Sequence, residues 1–224
     1  MCVVEPRQPY LYFDLTAGPG IVDGREGSPL LFIREAERLA RPWRAAFFEA
    51  SPRTARGLQA QVAAFDSARV VATDYNEGLE VVMQLATRSG TRPVGLAYVD
   101  PNGVIDLTGL RRLCRERFFE RIDVLIHLSA TTYKRVRCCR NTHGTAYIRE
   151  EMESLGKRQV QVRQPREDQQ WCMALLTNWA NFPRLRRWGF RAANSPEGEA
   201  ILDRINFTEK ELREIGPRGQ LSLW

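Results

Sequence analysis

The chain has 224 residues, 43% hydrophobic and 27% charged, which excludes fibrous, disordered and membrane-spanning classes; folding at this length buries about 70% of the unfolded surface, so a core needs no staple. The five cysteines, with Cys138 and Cys139 adjacent, make a poor disulfide framework and read as a reduced cytoplasmic set, and the residues from Met1 to Arg7 lack the pattern of a signal peptide. The net charge of +6 is uneven: residues 1–100 carry 11 basic and 12 acidic side chains, residues 101–224 carry 22 and 15, and an acidic partner for the second half is therefore expected.

Apolar runs of strand length alternate with helical patterns, the signature of a mainly parallel sheet with helices on both faces. Strands are predicted at 10–16, 44–50, 69–74, 95–100, 123–129, 171–177 and 190–193. Ser28-Pro29 reads as an N-cap followed by a first-turn proline, with Leu30, Leu31, Ala36 and Leu39 as the apolar stripe. A second helix is expected over 52–65. A third over 77–88 buries Leu79, Val82, Met83 and Leu85, and a fourth over 107–121 buries Leu110, Leu113, Cys114 and Phe118. Residues 131–168 are polar and basic, and are expected to form a loop-and-helix excursion ending in an extended piece at 159–163. No repeat or linker divides the chain. The expected fold is one doubly wound α/β domain over 1–224 with a seven-stranded sheet.

The clearest motif is Tyr10-Leu11-Tyr12-Phe13-Asp14-Leu15-Thr16-Ala17-Gly18-Pro19-Gly20, an apolar strand with one acid near its end that breaks into small residues. Two glycines allow a sharp turn at the carboxyl end of a strand, where open α/β sheets bind ligands. A dinucleotide fingerprint needs a third glycine that is not at the required spacing. The Asp14 carboxylate would repel a pyrophosphate and attract a cationic amino-acid moiety. Glu49, in Phe47-Phe48-Glu49-Ala50-Ser51-Pro52, ends the second strand and suits two ribose hydroxyls. Asp74 ends the third and suits an adenine amino group, with Tyr75 covering the ring. Taken singly, each acid also has the ordinary reading of a helix N-cap.

The fourth strand ends in Asp100-Pro101-Asn102-Gly103, whose carboxylate and backbone carbonyl offer two acceptors to a substrate NH2 group. Methyl transfer to nitrogen is the chemistry this arrangement serves; as an isolated tetrapeptide it is also an ordinary β-turn. Together these residues resemble class I S-adenosylmethionine-dependent methyltransferases. More narrowly, the Asp-x-x-Ala-Gly-Pro-Gly turn, Gly27-Ser28-Pro29, Asp-Pro-x-Gly and Lys134-Arg135 resemble the three-Cys-motif partner family. The resemblance covers about 10–137. It implies an S-adenosylmethionine fold, with Asp14, Thr16, Ala17, Gly18, Gly20, Glu49, Ala50, Asp74 and Tyr75 around the cofactor and Asp100, Pro101 and Asn102 at the acceptor. Enzymes that methylate base amino groups typically carry a second proline and an aromatic residue where this chain has Asn102 and Gly103.

Lys134, Arg135 and Arg137 follow the fifth strand and suit the phosphates of a nucleic acid, DNA or RNA; the bland reading is a solvated face. Arg184, Arg186 and Arg187 with Trp188 form a second basic patch that suits nucleic acid or an ordinary loop equally. Cys138, Cys139 and His143 lack zinc spacing, so no metal is expected, and His127 reads as a core residue. Two readings stay open: a methyltransferase acting on a base nitrogen, and a non-catalytic cofactor-binding protein that docks a protein partner. A nicotinamide oxidoreductase ranks third because of Asp14.

Overall fold

Ala45, Ala46, Phe47 and Phe48 are buried in succession, which only a strand covered on both faces requires. In the computed structural model, which describes residues 8–88, 93–101, 107–132, 145–166, 169–179, 183–208 and 210–211, they form the middle of β4. The elements in chain order are β1 (Tyr10–Asp14), β2 (Ile21–Val22), β3 (Arg25–Glu26), α1 (Ser28–Arg38), β4 (Trp43–Glu49), α2 (Pro52–Val62), β5 (Ala68–Ala72), α3 (Tyr75–Arg88), β6 (Val94–Val99) and α4 (Leu107–Arg115). A 3-10 turn (Arg117–Phe119) leads into β7 (Ile122–Ser129), followed by α5 (Thr145–Glu153), β8 (Gln159–Arg163), β9 (Trp171–Thr177), α6 (Pro183–Arg187), β10 (Arg191–Ala192) and α7 (Pro196–Asn206). Eight strands form the main sheet, in the order β10-β8-β9-β7-β6-β1-β4-β5, while β2 and β3 pair separately. Among the described residues no helix is long and apolar enough to cross a membrane.

The chain divides into two compact units, residues 1–100 with 106–125 and residues 101–105 with 126–224. In the first, β1 pairs in parallel with β4 on one side and β6 on the other, and β5 adds to β4. The chain moves outward from β1 to β5, then returns to the other side of β1. That reversal opens a crevice beyond the carboxyl ends of these strands. Tyr12, Ile33, Ala36, Trp43, Phe47, Leu58 and Val62 fill the core beneath α1 and α2. Phe48 points to the opposite face, where α3 approaches so closely that a Cβ on Gly78 would stand 2.9 Å from its ring.

In the second unit β8 pairs antiparallel with β9 and with β10. Helix α7 starts at Ser195, whose Oγ accepts from the Gly198 N–H at 3.2 Å. Gly198 admits the Ala192 carbonyl where any larger residue would overlap it. Arg149 of α5 reaches Glu199 of α7 at 2.7 Å.

The sheet has eight strands rather than seven because the extended piece at 159–163 is a full ladder member. Val160 and Val162 point inward there and the polar residues between them point outward, so polarity on one face concealed a half-buried strand. The expected helix over 107–121 ends at Arg115. The tighter period of the 3-10 turn then buries Phe119 in place of Phe118. Helix α1 buries Pro29, Ile33 and Ala36 and exposes Leu31 and Leu39, since only the former share a 3.6-residue stripe. Ser28 is the first helical residue and Gly27 the cap. The β2–β3 hairpin was not anticipated, although Asp23 and Gly24, both at positive φ, are the residues a tight two-residue turn favours.

Candidate functional site

The parallel register fixes the site. Asp14 stands opposite Phe47 of β4 and Tyr98 of β6, so Glu49 and Asp100 each lie two residues further on, level with Thr16. By the same count, Asp74 lies two residues beyond Ala72, the partner of Glu49. Three strand ends therefore bring three carboxylates to one edge around the turn after β1.

Hydrogen bonds tie that turn to both neighbours. The Ala17 N–H donates to the Phe48 carbonyl at 2.9 Å, and the Leu15 N–H to the Tyr98 carbonyl at 2.9 Å. Glu49 accepts from the Gly18 N–H through Oε2 at 3.0 Å and from the Ser51 N–H through Oε1 at 2.8 Å. On the other side the Asp100 N–H donates to Thr16 Oγ1 at 2.7 Å. Gly18 and Gly20 take φ of 66° and 80°, the left-handed region that glycine enters without strain. A Cβ on Gly20 would also meet Leu58 Cδ1 at 2.8 Å, whereas one on Gly18 would meet nothing within 4 Å. The backbone at Gly18 is thus open to a ligand, and that at Gly20 is packed against α2.

Asp14 lies beneath the turn and is fully buried. Its Oδ1 accepts from the Thr16 N–H at 3.2 Å, its Oδ2 from the Tyr12 hydroxyl at 3.4 Å, and Ser28 supplies a further hydrogen bond. Burial raises its pKa to about 7; those hydrogen bonds offset part of the rise and the nearby Asp100 charge adds to it. The Tyr98 hydroxyl donates to Asp100 Oδ2 at 3.1 Å, and burial, with Asp100 and Asp14 beside it, holds that phenol well above its ordinary pKa. Tyr98 is thus a half-buried member of the site, and Ser28 was missed because its spacing looked like a cap.

Asp74 is exposed, and its Oδ1 accepts from the Glu77 N–H at 2.9 Å, the N-cap arrangement for α3. Tyr75 is half-buried at the first position of that helix, and Ala50 is exposed beside Glu49. Pro101 is half-buried and follows Asp100. Asn102, Lys134, Arg135 and Arg137 lie outside the described residues, as do Cys138, Cys139 and His143. His127 is half-buried against the Trp171 ring, centroids 5.2 Å apart.

The residues present suit a cationic ligand: a turn with open space at Gly18, flanked by carboxylates, over a buried acid whose pKa is raised to about 7. Both Glu49 oxygens already hold one N–H each, and each keeps a lone pair for a hydroxyl donor.

No family model matches the chain, and no curated protein matches it in sequence. Among solved structures it is similar to protein LPL1258 of Legionella pneumophila, with 12% identity over 89% of this chain and 85% of that one and a TM-score of 0.53. It is similar as well to the fibrillarin pre-rRNA processing protein of Methanococcus jannaschii (15% identity, 78% and 69% covered, TM-score 0.50). A third similar structure is the CMeT domain of the citrinin polyketide synthase (10% identity, 76% and 46% covered, TM-score 0.50). What is shared is the fold, a Rossmann-like α/β architecture with a mainly parallel sheet.

Proposed function

We propose that the chain is an S-adenosylmethionine-dependent methyltransferase that modifies a nitrogen of a nucleic-acid base. The observation that carries this reading is the hydrogen-bonded row Asp100–Thr16 and Gly18–Glu49 at the point where the strand order reverses. S-adenosylmethionine, when bound, supplies a methyl group already activated by the sulfonium. The chain's own residues then have positioning tasks. The Gly18 turn and the charge of Asp14 hold the cationic amino-acid end, Glu49 accepts from the ribose hydroxyls, and Asp74 with Tyr75 borders the adenine. Asp100, oriented by the Tyr98 hydroxyl, accepts a proton of the substrate NH2 group and aligns its nitrogen for in-line attack. Nucleic acid as substrate draws its support from the basic second half of the chain. The narrower likeness to the three-Cys-motif partner family rests on the turn sequence, Gly27-Ser28-Pro29, Asp100-Pro101 and Lys134-Arg135.

Calorimetry with S-adenosylmethionine against NADPH tests the cofactor: binding of the former alone is expected, and its absence sinks the reading. Glu49→Ala should weaken that binding at least tenfold, about 1.4 kcal/mol. Its thermal midpoint should shift by only a few degrees, since solvent reaches the exposed Ser51 N–H and the partly exposed Gly18 N–H it uncovers. Equal affinity in Glu49→Ala would remove that residue from the pocket.

The second reading, a cofactor-binding protein without catalysis, is favoured by the missing proline and aromatic after Pro101. Transfer of labelled methyl to RNA, DNA or protein of a host extract separates the two. With an active enzyme, Asp100→Ala should lower transfer by about 10²-fold while cofactor binding changes little. Equal labelling by the variant removes Asp100 from the mechanism, and no labelling by the parent protein favours the partner role.

A further inference from the structure

The second unit carries a surface that the cofactor site does not use. Helix α6 is short, and it ends in a tightly defined motif: the Phe190 N–H donates to the Leu185 carbonyl at 3.0 Å and the Gly189 N–H to the Arg186 carbonyl at 3.1 Å, with Gly189 at φ 84°. These are the paired bonds of a Schellman ending, and the two residues that pack together in it, Leu185 and Phe190, are buried. The residue this motif holds at its outer corner is Trp188, which is 57% exposed. An indole kept in water on a rigid turn gains nothing for the core, since Leu185 and Phe190 already anchor the segment.

The cations around it are equally specific. Arg184, Arg186 and Arg187 are exposed, and no side-chain hydrogen bond or ion pair engages them among the described residues; the acid that feels the charge of Arg186 is the fully exposed Glu197, which also feels Arg191. Arg191 of edge strand β10 donates to the Phe190 carbonyl at 2.9 Å and the Arg186 carbonyl at 3.3 Å, which ties its charge to the end of α6. Arg163 of β8 lies over the Phe190 ring, 5.9 Å from its centroid. Five arginines thus gather about one exposed aromatic at the β10 edge.

We infer that this arginine-ringed Trp188 corner is a binding surface for single-stranded nucleic acid, with Trp188 stacking an unpaired base and Arg184, Arg186 and Arg187 neutralising phosphates. Every base offers a π-face to stack, and guanidinium groups match phosphate geometry, so the two features together suit this polymer better than an acidic protein, which uses the charge but not the ring. The inference deepens the proposed substrate class, but it stands on this unit's geometry alone.

The test is fluorescence anisotropy with a labelled 20-nucleotide oligo(U) RNA across a salt series, on the full chain. The parent protein should bind, with affinity falling steeply as salt rises. The triple variant Arg184→Ala, Arg186→Ala, Arg187→Ala should lose more than tenfold in affinity and flatten the log–log salt slope by about 2, at roughly 0.7 for each phosphate left without its arginine. Trp188→Ala should lose about tenfold with the slope unchanged, and Trp188→Phe should recover most of it. Variants that bind like the parent overturn the inference, as does polyglutamate competing as well as RNA, which would mark a surface for acidic protein. S-adenosylmethionine calorimetry on the same proteins keeps the two readings apart. A parent that binds RNA in this pattern but no cofactor sinks the methyltransferase reading alone, and one that binds cofactor but no RNA sinks this one alone.

Discussion

Asparagine at position 14 should stabilise the folded protein by up to about 4 kcal/mol at pH 8 and leave it unchanged near pH 4. Asp14 is fully buried with a pKa raised from 3.8 to about 7, chiefly by desolvation. In the unfolded chain the same carboxyl gives up its proton near 3.8. The folded state therefore holds more protons between these values, so this group's stabilising contribution is complete below 3.8 and is lost as pH rises through 7. A neutral amide escapes that loss, and it is small enough to keep partners among Thr16, Tyr12 and Ser28. Urea midpoints measured at pH 4, 6 and 8 check this: the curves for the parent and Asp14→Asn should diverge as pH rises, and parallel curves would show that the carboxylate is not costly.

The gain in stability comes with a loss of function in the proposed reading. Ionised Asp14 attracts the ammonium and sulfonium charges of S-adenosylmethionine, so the parent's affinity should rise between pH 6 and 8, with proton release on binding. Asp14→Asn should be flat with pH over that interval and bind about tenfold more weakly at pH 8. A buried acid that destabilises the fold at neutral pH is the kind of residue whose value lies in the ligand it meets.

Gly95→Ala should cost about 4 kcal/mol or more and lower the thermal midpoint by about 10 °C. The new Cβ would overlap the Leu11 carbonyl oxygen and stand 2.9 Å from its carbonyl carbon. That carbonyl belongs to β1, which is paired on both sides and cannot step away. Strands β1 and β6 would have to part, and the Leu15–Tyr98 and Thr16–Asp100 hydrogen bonds that align the site would lengthen with them. Gly57→Ala provides the contrast: that glycine lies exposed in α2 with nothing within 4 Å of its Cβ position, and alanine there should stabilise by roughly 0.5–1 kcal/mol. If both variants melt alike, the β1–β6 register is wrong.

Much of the first unit was legible because its signals are local. Strands β1, β4 and β6 are apolar runs bounded by turn residues, and Ser51-Pro52 starts α2 as a capping serine and first-turn proline should. Failures came where one residue type serves two purposes. Ser28 carries a helix-start signal, yet its hydroxyl serves Asp14 from a position inside the helix. The extended piece over 159–163 was legible, but its membership of the main sheet as β8 was not, because glutamine and arginine occupy the outward positions of a strand whose valines are buried.

The order of residues by itself determined the alternation of strands and helices, the glycine turn after β1, the acids at the strand ends and the concentration of arginine in the second half. These depend on periodicity and on backbone freedom, which neighbours along the chain express. Only the tertiary structure decided which acid lies under the turn and which beside it, because burial and the raised pKa of Asp14 come from strands and helices distant in sequence. It decided as well that Glu49 and Asp100 flank Thr16 at one level, a consequence of inter-strand register, and that Trp188 stands in water while Leu185 and Phe190 do not. A side chain's environment is a sum over non-local contacts, and one-dimensional spacing does not contain that sum.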